Sequence, residues 1–435
     1  MQRVERAWFG HPPGLTILFL TQTWEQFSYY GMRSIVIYYM LTNLAMDQAA
    51  SSLVFGTYVA FFYLTPMFGG AMADRWLGRR RAIILGGAIL AVGHFLLTFE
   101  ALFYPGLAVI ALGNGFFLPA IPAQIGDLYA RDDPRHAGAY NIYYVGINIG
   151  GFLAPFVCGT LGELYGWHWG FGAAGVGMVT GLLIYIFGGR YLPPERARPV
   201  VREKQPRTAM PMRVILLLLA VGGATTLFRG AYQQVGNTVA IWLDTGIDRS
   251  LGDYVIPMTW FQSLNPLFVF AMTPLLLAYW RGRAAVRGDV SAVYKMAVGA
   301  GLVGGSYVLL AALAYGAGGG QVGWLWLVLF FALLTLGELY ILPTGLYLFD
   351  RLAPPGTNAF AVAAWYFTIF TGSLFSGALG TLWTSLDHAG FFLLLAASSA
   401  AGALILLLLG RVRLPDTAAE VEPNQRQALP VDSTA

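Results

Sequence analysis

The chain has 435 residues, of which 57% are hydrophobic and 11% charged, and its mean hydropathy is +0.61; soluble proteins carry about 25% charged residues. Twenty-six basic and 22 acidic side chains cannot clothe so apolar a chain in water, which excludes a soluble enzyme and a disordered chain, while Cys158, the single cysteine, excludes a disulfide scaffold. The formal net charge of +4 comes from residues at membrane edges rather than from a basic stripe, so nucleic acid is not an expected partner.

The opening residues MQRVERAWFGHPPG lack the uninterrupted apolar core of a cleavable signal peptide, so the first long helix is expected to stay. A helix crosses a bilayer core with about 20 apolar residues. Stretches of that kind predict spans near 14–41, 51–73, 82–103, 106–130, 137–160 and 168–190, then near 213–243, 254–280, 291–315, 322–349, 357–384 and 386–410. Their length argues for helices, because barrel strands are about ten residues long with strict alternation. Between the two sets lies the polar stretch 191–212, whose Pro193, Pro194, Pro199 and Pro206 oppose a helix. The chain thus divides into a six-helix bundle over 1–190, a linker over 191–212, a second six-helix bundle over 213–410 and a polar tail over 411–435. The expected fold is an all-α membrane protein whose two bundles rock against each other.

The basic residues set the orientation. Arg3 and Arg6 precede span 1; Arg75, Arg79, Arg80 and Arg81 follow span 2; Arg131 and Arg135 follow span 4. Seven more surround the central linker, Arg281, Arg283 and Arg287 follow span 8, Arg351 follows span 10, and Arg411, Arg413 and Arg426 end the chain. Together 22 of the 26 basic residues fall on one side, and only Arg249 sits in an opposite loop. The positive-inside rule places both termini in the cytoplasm of a multi-pass protein of the cell inner membrane. Two loops occupy matching places in the halves: GGAMADRWLGRRRA (69–82) and its decayed echo RGRAAVRGD (281–289). Either Asp74, Gly78 and Arg79 with its neighbouring arginines latch the cytoplasmic ends of adjacent helices, or the arginines only orient the chain.

Charge inside a span is expensive and marks function by default. Four such residues stand out: Glu25, Arg33, Arg229 and Glu338. In span 1, at about 100° per residue, Gln22, Glu25, Gln26, Tyr29, Tyr30 and Arg33 share one face, which must look into a cavity or against protein. Glu25 and Arg33 are about 12 Å apart along the axis, so each needs a partner elsewhere. Span 5 places Asn148 among Gly146, Gly150 and Gly151; span 7 carries Arg229, Gln233, Gln234 and Asn237; span 8 carries Gln262 and Asn265 before Pro266; span 10 carries Glu338 in GELYILPTGLY. A lone amide in a span is usually helix glue. Amides, tyrosines and charges of both signs spread over both halves fit a shared cavity better.

Taken together, FSYYGMR in span 1, the DRWLGRR loop, YYVGINIGGFLAP in span 5, WFQSLNP in span 8 and GELYILPTGL with LAPP after span 10 resemble the proton-dependent oligopeptide transporter family of the major facilitator superfamily. The resemblance implies a secondary transporter that takes up di- and tripeptides by alternating access with protons, not an enzyme, and needs no cofactor or metal. It implies that Arg33 receives the peptide carboxylate and Glu338 the peptide amine. Tyr29, Tyr30, Asn148 and Asn265 match polar wall positions, and Tyr63 and Trp365 match wall aromatics.

The departures are specific. The family pattern E-x-x-E-R in span 1 meets Gln22, Glu25 and Gln26 here; a family lysine in span 4 falls at Leu118, a glutamate in span 7 at Gln233, and a tryptophan in span 7 at Arg229. This set reads as joint neutralisation of ion pairs, since removing one partner alone strands a charge at a cost of roughly 3–5 kcal/mol. Glu25 and Glu338 remain as proton-coupling candidates, and Arg229 is expected to supply positive charge to one of them. The linker is also too short for the extra helix pair of many bacterial members. Three other readings stay open: a facilitator, a carrier of a non-peptide zwitterion or drug-like molecule, and a transport-dead sensor. A monomer in the lipid bilayer is the expected state. The five histidines are scattered over different segments, which leaves little room for an enzyme.

Overall fold

The computed structural model describes residues 10–130, 133–194, 212–352 and 358–411. The predicted linker beyond Pro194, the tail beyond Arg411, Arg3, Arg6, Arg131 and the residues after Leu352 in LAPP lie outside the described residues.

Twelve crossing segments are helical. Helix α1 (Pro13–Thr42) starts with proline at its first position, where a missing N–H does no harm. Helix α2 (Gln48–Met72) begins where Asp47 accepts from the N–H groups of Ala49 and Ala50, and runs on into a π-turn, Ala73–Leu77. Helices α3 (Arg79–Leu96) and α4 (Phe103–Asp127) follow. The expected break near 103–106 lies earlier, at Leu97–Phe99, because LLTFEALFY stays apolar through the turn and hydropathy cannot mark it.

The fifth segment is composite: α5 (His136–Ala154), a π-turn at Pro155–Gly159, and α6 (Thr160–Tyr165). Pro155 has no N–H to give, and the extra residue per turn absorbs the loss. Helix α7 (Trp167–Phe187) ends the first half. The seventh segment is also broken, into α8 (Met212–Tyr232), a 3₁₀ turn at Gln233–Gly236, and α9 (Thr238–Thr245). A 3₁₀ entry at Met258–Ser263 leads into α10 (Leu264–Arg287), followed by α11 (Ala292–Ala317), α12 (Leu325–Leu352), α13 (Asn358–Gly380) and α14 (His388–Leu409).

Among the described residues ten of the twelve segments are long and apolar enough to cross a membrane. The exceptions have physical causes: α1 carries the polar face, and α3 opens on three arginines. The two loops predicted to correspond do so in backbone. Gly78 ends the second segment at φ 81° and Gly288 ends the eighth at φ 76°, both in the left-handed region that glycine enters freely.

Helix α1 packs on α5 and α7, and α4 on α2 and α3; in the second half α8 packs on α13 and α14, and α11 on α12 and α14. Contacts between the halves run chiefly through α2 with α13 and α5 with α10. At the first of these, a Cβ on Gly56 would sit 2.6 Å from the Gly377 Cα and 2.7 Å from the Ser373 carbonyl oxygen, so only glycine permits the two backbones to approach.

Candidate functional site

The polar face of α1 is buried, and its carboxylate is locally satisfied. Gln22 and Gln26 each donate a side-chain N–H to Glu25 Oε2 at 2.7 Å, and Glu25 is 2% exposed. Two turns further on, Arg33 Nη2 donates to Gln233 Oε1 at 2.7 Å, across to the broken seventh segment. Because Gln233 is neutral, this contact is a charge–amide hydrogen bond, and Arg33 makes no ion pair among the described residues. Arg33 Nε has no acceptor.

The opposite charge comes from the other half. Asn265 Nδ2, at the start of α10, donates to Glu338 Oε2 at 2.7 Å and to Thr335 Oγ1 at 3.0 Å. The Tyr232 hydroxyl approaches the same carboxylate, and Tyr30 and Tyr144 of the first half face it. Tyr29, Tyr30, Tyr63 and Tyr232 surround Arg33. Each charged group thus has neighbours in the opposite half, Gln233 and Tyr232 for Arg33 and Tyr30 and Tyr144 for Glu338, with Tyr30 and Tyr232 common to both.

Arg229 differs from both. It is 6% exposed, makes no hydrogen bond or ion pair within the described residues, and its Nε has no acceptor. Its stem lies against Gly372 of α13, where a Cβ would collide with it. Tyr63, Tyr232, Glu338 and Arg33 are the charged and titratable groups that act on it most strongly.

The remaining expected wall residues are placed unevenly. Tyr29 stacks on Phe62 at 4.3 Å between centroids and is buried. Asn148 donates its Nδ2 to the Tyr144 carbonyl at 2.9 Å, one turn back on its own helix. Trp365 is wedged into α12, against the bare backbone of Gly345 and edge-on to Phe349. Tyr232 and Tyr144 were not singled out from sequence. Tyr232 was within reach of it, three residues after Arg229 on the same helix face.

Hydrogen bonds joining the bundles cluster toward the segment ends away from the arginine-rich loops. Tyr38 donates to the Ala240 carbonyl at 2.7 Å, Ser52 to Asn237 Oδ1 at 2.8 Å, and Gln48 to the Gly380 carbonyl at 3.0 Å. Glu163, also unforeseen, accepts from the N–H of Met258 and of Thr259 at 3.0 Å each and from Thr259 Oγ1 at 2.6 Å, with Arg249 4.0 Å away. A carboxylate at the end of the fifth segment thus caps the start of the eighth, where unpaired N–H groups favour negative charge.

At the opposite ends the expected latch is built differently from its sequence reading. Arg79 donates to Asp127 and, at 2.9 Å, to the Ala123 carbonyl, tying α3 to the end of α4. Asp74 takes no part: the π-turn leaves it exposed, with no bond to a described residue, and Asp127 serves in its place.

Two helical bundles closed at one end over buried charges of both signs define a membrane transporter. The family described as "POT family" matches residues 80–210 and 200–397. The uncharacterized transporter YclF of Bacillus subtilis (strain 168) is 30% identical, over 89% of this chain and 91% of that one. The peptide transporter YePEPT of Yersinia enterocolitica subsp. palearctica serotype O:3 (strain YE-P4) is 29% identical, over 86% and 88%. A crystal structure of the peptide transporter POT in complex with sulfate superposes with a TM-score of 0.87 at 28% identity, covering 93% of this chain and 95% of that one. The chain belongs to the POT family, and it is a multi-pass membrane transporter rather than an enzyme.

Proposed function

We propose that the protein carries di- and tripeptides across the cytoplasmic membrane by alternating access, with both termini in the cytoplasm. The observation that carries this reading is the pair Arg33 and Glu338, one from each half, each with neighbours in the other half, and on this reading the two share a chamber. A guanidinium offers a planar fork to the peptide carboxylate, and a carboxylate attracts the peptide ammonium. Each bundle then grips one end of the cargo, so binding couples the halves and tolerates many side chains between them. Relatives named as peptide transporters support the cargo class. Tyr29, Tyr30, Tyr63, Asn148, Asn265 and Trp365 form or support the wall.

The bonded seam away from the basic loops corresponds to the outer side, so the structure fits an inward-facing arrangement. The two six-segment halves, 1–190 and 213–410, act as the rocking units, and one copy in the bilayer suffices. Protons drive the cycle through Glu25 and Glu338, the carboxylates buried in the spans. Gln233 serves as the gate partner of Arg33. With Glu25 held by Gln22 and Gln26, any charge compensation by Arg229 goes to Glu338.

The test is uptake of a labelled dipeptide into proteoliposomes with pH gradient and voltage set independently. Accumulation above equilibrium under an inward proton gradient is expected. Equilibration without any gradient makes the protein a facilitator, and absence of competition by unlabelled dipeptides at millimolar concentration moves the cargo to a non-peptide zwitterion.

A further inference from the structure

The chamber holds more cationic charge than a zwitterionic peptide can neutralise. Arg33 and Arg229 share Tyr63 and Tyr232 as neighbours, and the charge of Arg33 acts on Arg229. One carboxylate, Glu338, stands among the groups facing both; the other span carboxylate, Glu25, is occupied by its two amides. Arg33 has at least the Gln233 oxygen. Arg229, buried to 6% exposure, has no hydrogen-bond acceptor or ion-pair partner within the described residues. A buried guanidinium in that condition is a destabilising feature unless an anion completes it. Nor can the stem swing away easily, since it is packed on Gly372.

A dipeptide with a neutral side chain brings one carboxylate and one ammonium. Its carboxylate satisfies one arginine, its ammonium consumes Glu338, and one guanidinium stays unpaired. A dipeptide with a further carboxylate in its side chain closes the account of charge and supplies the missing acceptors.

We propose that Arg229 is a specificity-determining residue that receives a second carboxylate, and that the preferred cargo is a short peptide with an acidic side chain. This rests on the peptide reading above and narrows its substrate class.

The test compares Ala-Glu with Ala-Gln, and Glu-Ala with Gln-Ala, pairs that match in shape and differ in charge. Competition against a labelled dipeptide in proteoliposomes is measured for the wild type, Arg229→Gln and Arg229→Lys. In the wild type at least one acidic peptide is expected to compete about tenfold better than its amide counterpart, a ratio equivalent to about 1.4 kcal/mol. Arg229→Gln is expected to bring the ratio to within about twofold of one, whereas Arg229→Lys, which keeps the charge, retains most of it. A wild-type preference below about fivefold for both pairs overturns the assignment whether or not either variant folds, and so does a preference that Arg229→Gln leaves intact. In both cases peptide transport itself stands. Failure of all four peptides to compete or be taken up removes the peptide reading, and the assignment with it.

Discussion

The outer seam and the chamber beneath it use similar residues to opposite effect. In the seam the charged group is met across the bundles: Glu163 takes three donors, Ser52 meets Asn237, Tyr38 reaches a backbone carbonyl, and the atoms left without a partner, Gln48 Oε1 and Asn237 Nδ2, belong to neutral amides. In the chamber two guanidinium groups keep unmet nitrogens, and Glu338 is held by neutral donors alone. A satisfied polar contact is a stable closure that can be exchanged for water when it opens, whereas an unsatisfied one is a standing demand for a guest. On the proposed reading, the difference separates the part of the molecule that moves from the part that binds.

The sharpest way to break the chamber is to remove one of its poles. Arg33→Ala and Glu338→Ala are each expected to reduce dipeptide uptake by about ten- to 150-fold, because a charged hydrogen bond contributes about 1.5–3 kcal/mol and the other pole then has no counterpart across the cargo. Wild-type rates in either variant would remove both residues from the site. Next in size is a steric wedge in the seam. Gly56→Val places a branched side chain against the Gly377 backbone, where even a Cβ lacks room, and no rotamer relieves it. Uptake is expected to fall about tenfold while binding, measured by thermal stabilisation with a dipeptide, persists. Loss of both in parallel would mean that the contact maintains the fold and not the closure.

Most of the fold was legible in the sequence, and the site was legible in part. Hydropathy found all twelve segments: ten are long apolar runs, and α1 and α3, despite a polar face and three arginines, keep enough apolar residues to read as spans. The same logic misplaced the turn after α3, where LLTFEALFY keeps the run unbroken, and could not see the 3₁₀ turn at Gln233–Gly236. That break matters, since it frees Gln233 and Asn237 to reach α1 and α2. Arg33, Glu338 and Arg229 announced themselves as charges in spans. Glu163 did not, because it sits where a span meets its loop and charge there is ordinary. Its role depends on the start of the eighth segment, 95 positions away, and nothing local to either sequence encodes that approach. Asp74 shows the reverse failure: the motif drew attention to it, while the π-turn directed the pairing to Asp127.

A gentler change to the seam concerns that carboxylate. Glu163→Ala strands two N–H groups and a hydroxyl at the start of the eighth segment, a loss of about 1–2 kcal/mol felt only while the seam is closed. The open-seam population is expected to rise roughly tenfold. Labelling of Thr160→Cys by an impermeant maleimide reads it, because Thr160 accepts from Trp260 across the seam and the native Cys158 is buried. An unchanged labelling rate would reduce the cap to local helix chemistry.

The smallest effect belongs to the arginine-rich loop, and it decides between latch and orientation signal. Arg79 is partly exposed, with 37% of its side chain in contact with solvent, so its pair with Asp127 contributes about 1 kcal/mol or less to stability. Its geometry is more informative than its strength: one nitrogen serves both the carboxylate and the Ala123 carbonyl, so a neutral side chain forfeits the pair with Asp127. Arg79→Gln removes that pair while Arg75, Arg80 and Arg81 keep the charge that orients the chain. Equal uptake rates for wild type and Arg79→Gln would make the loop an orientation signal alone, and a larger loss in Asp74→Asn would mean that Asp74 finds its partner in another state of the cycle.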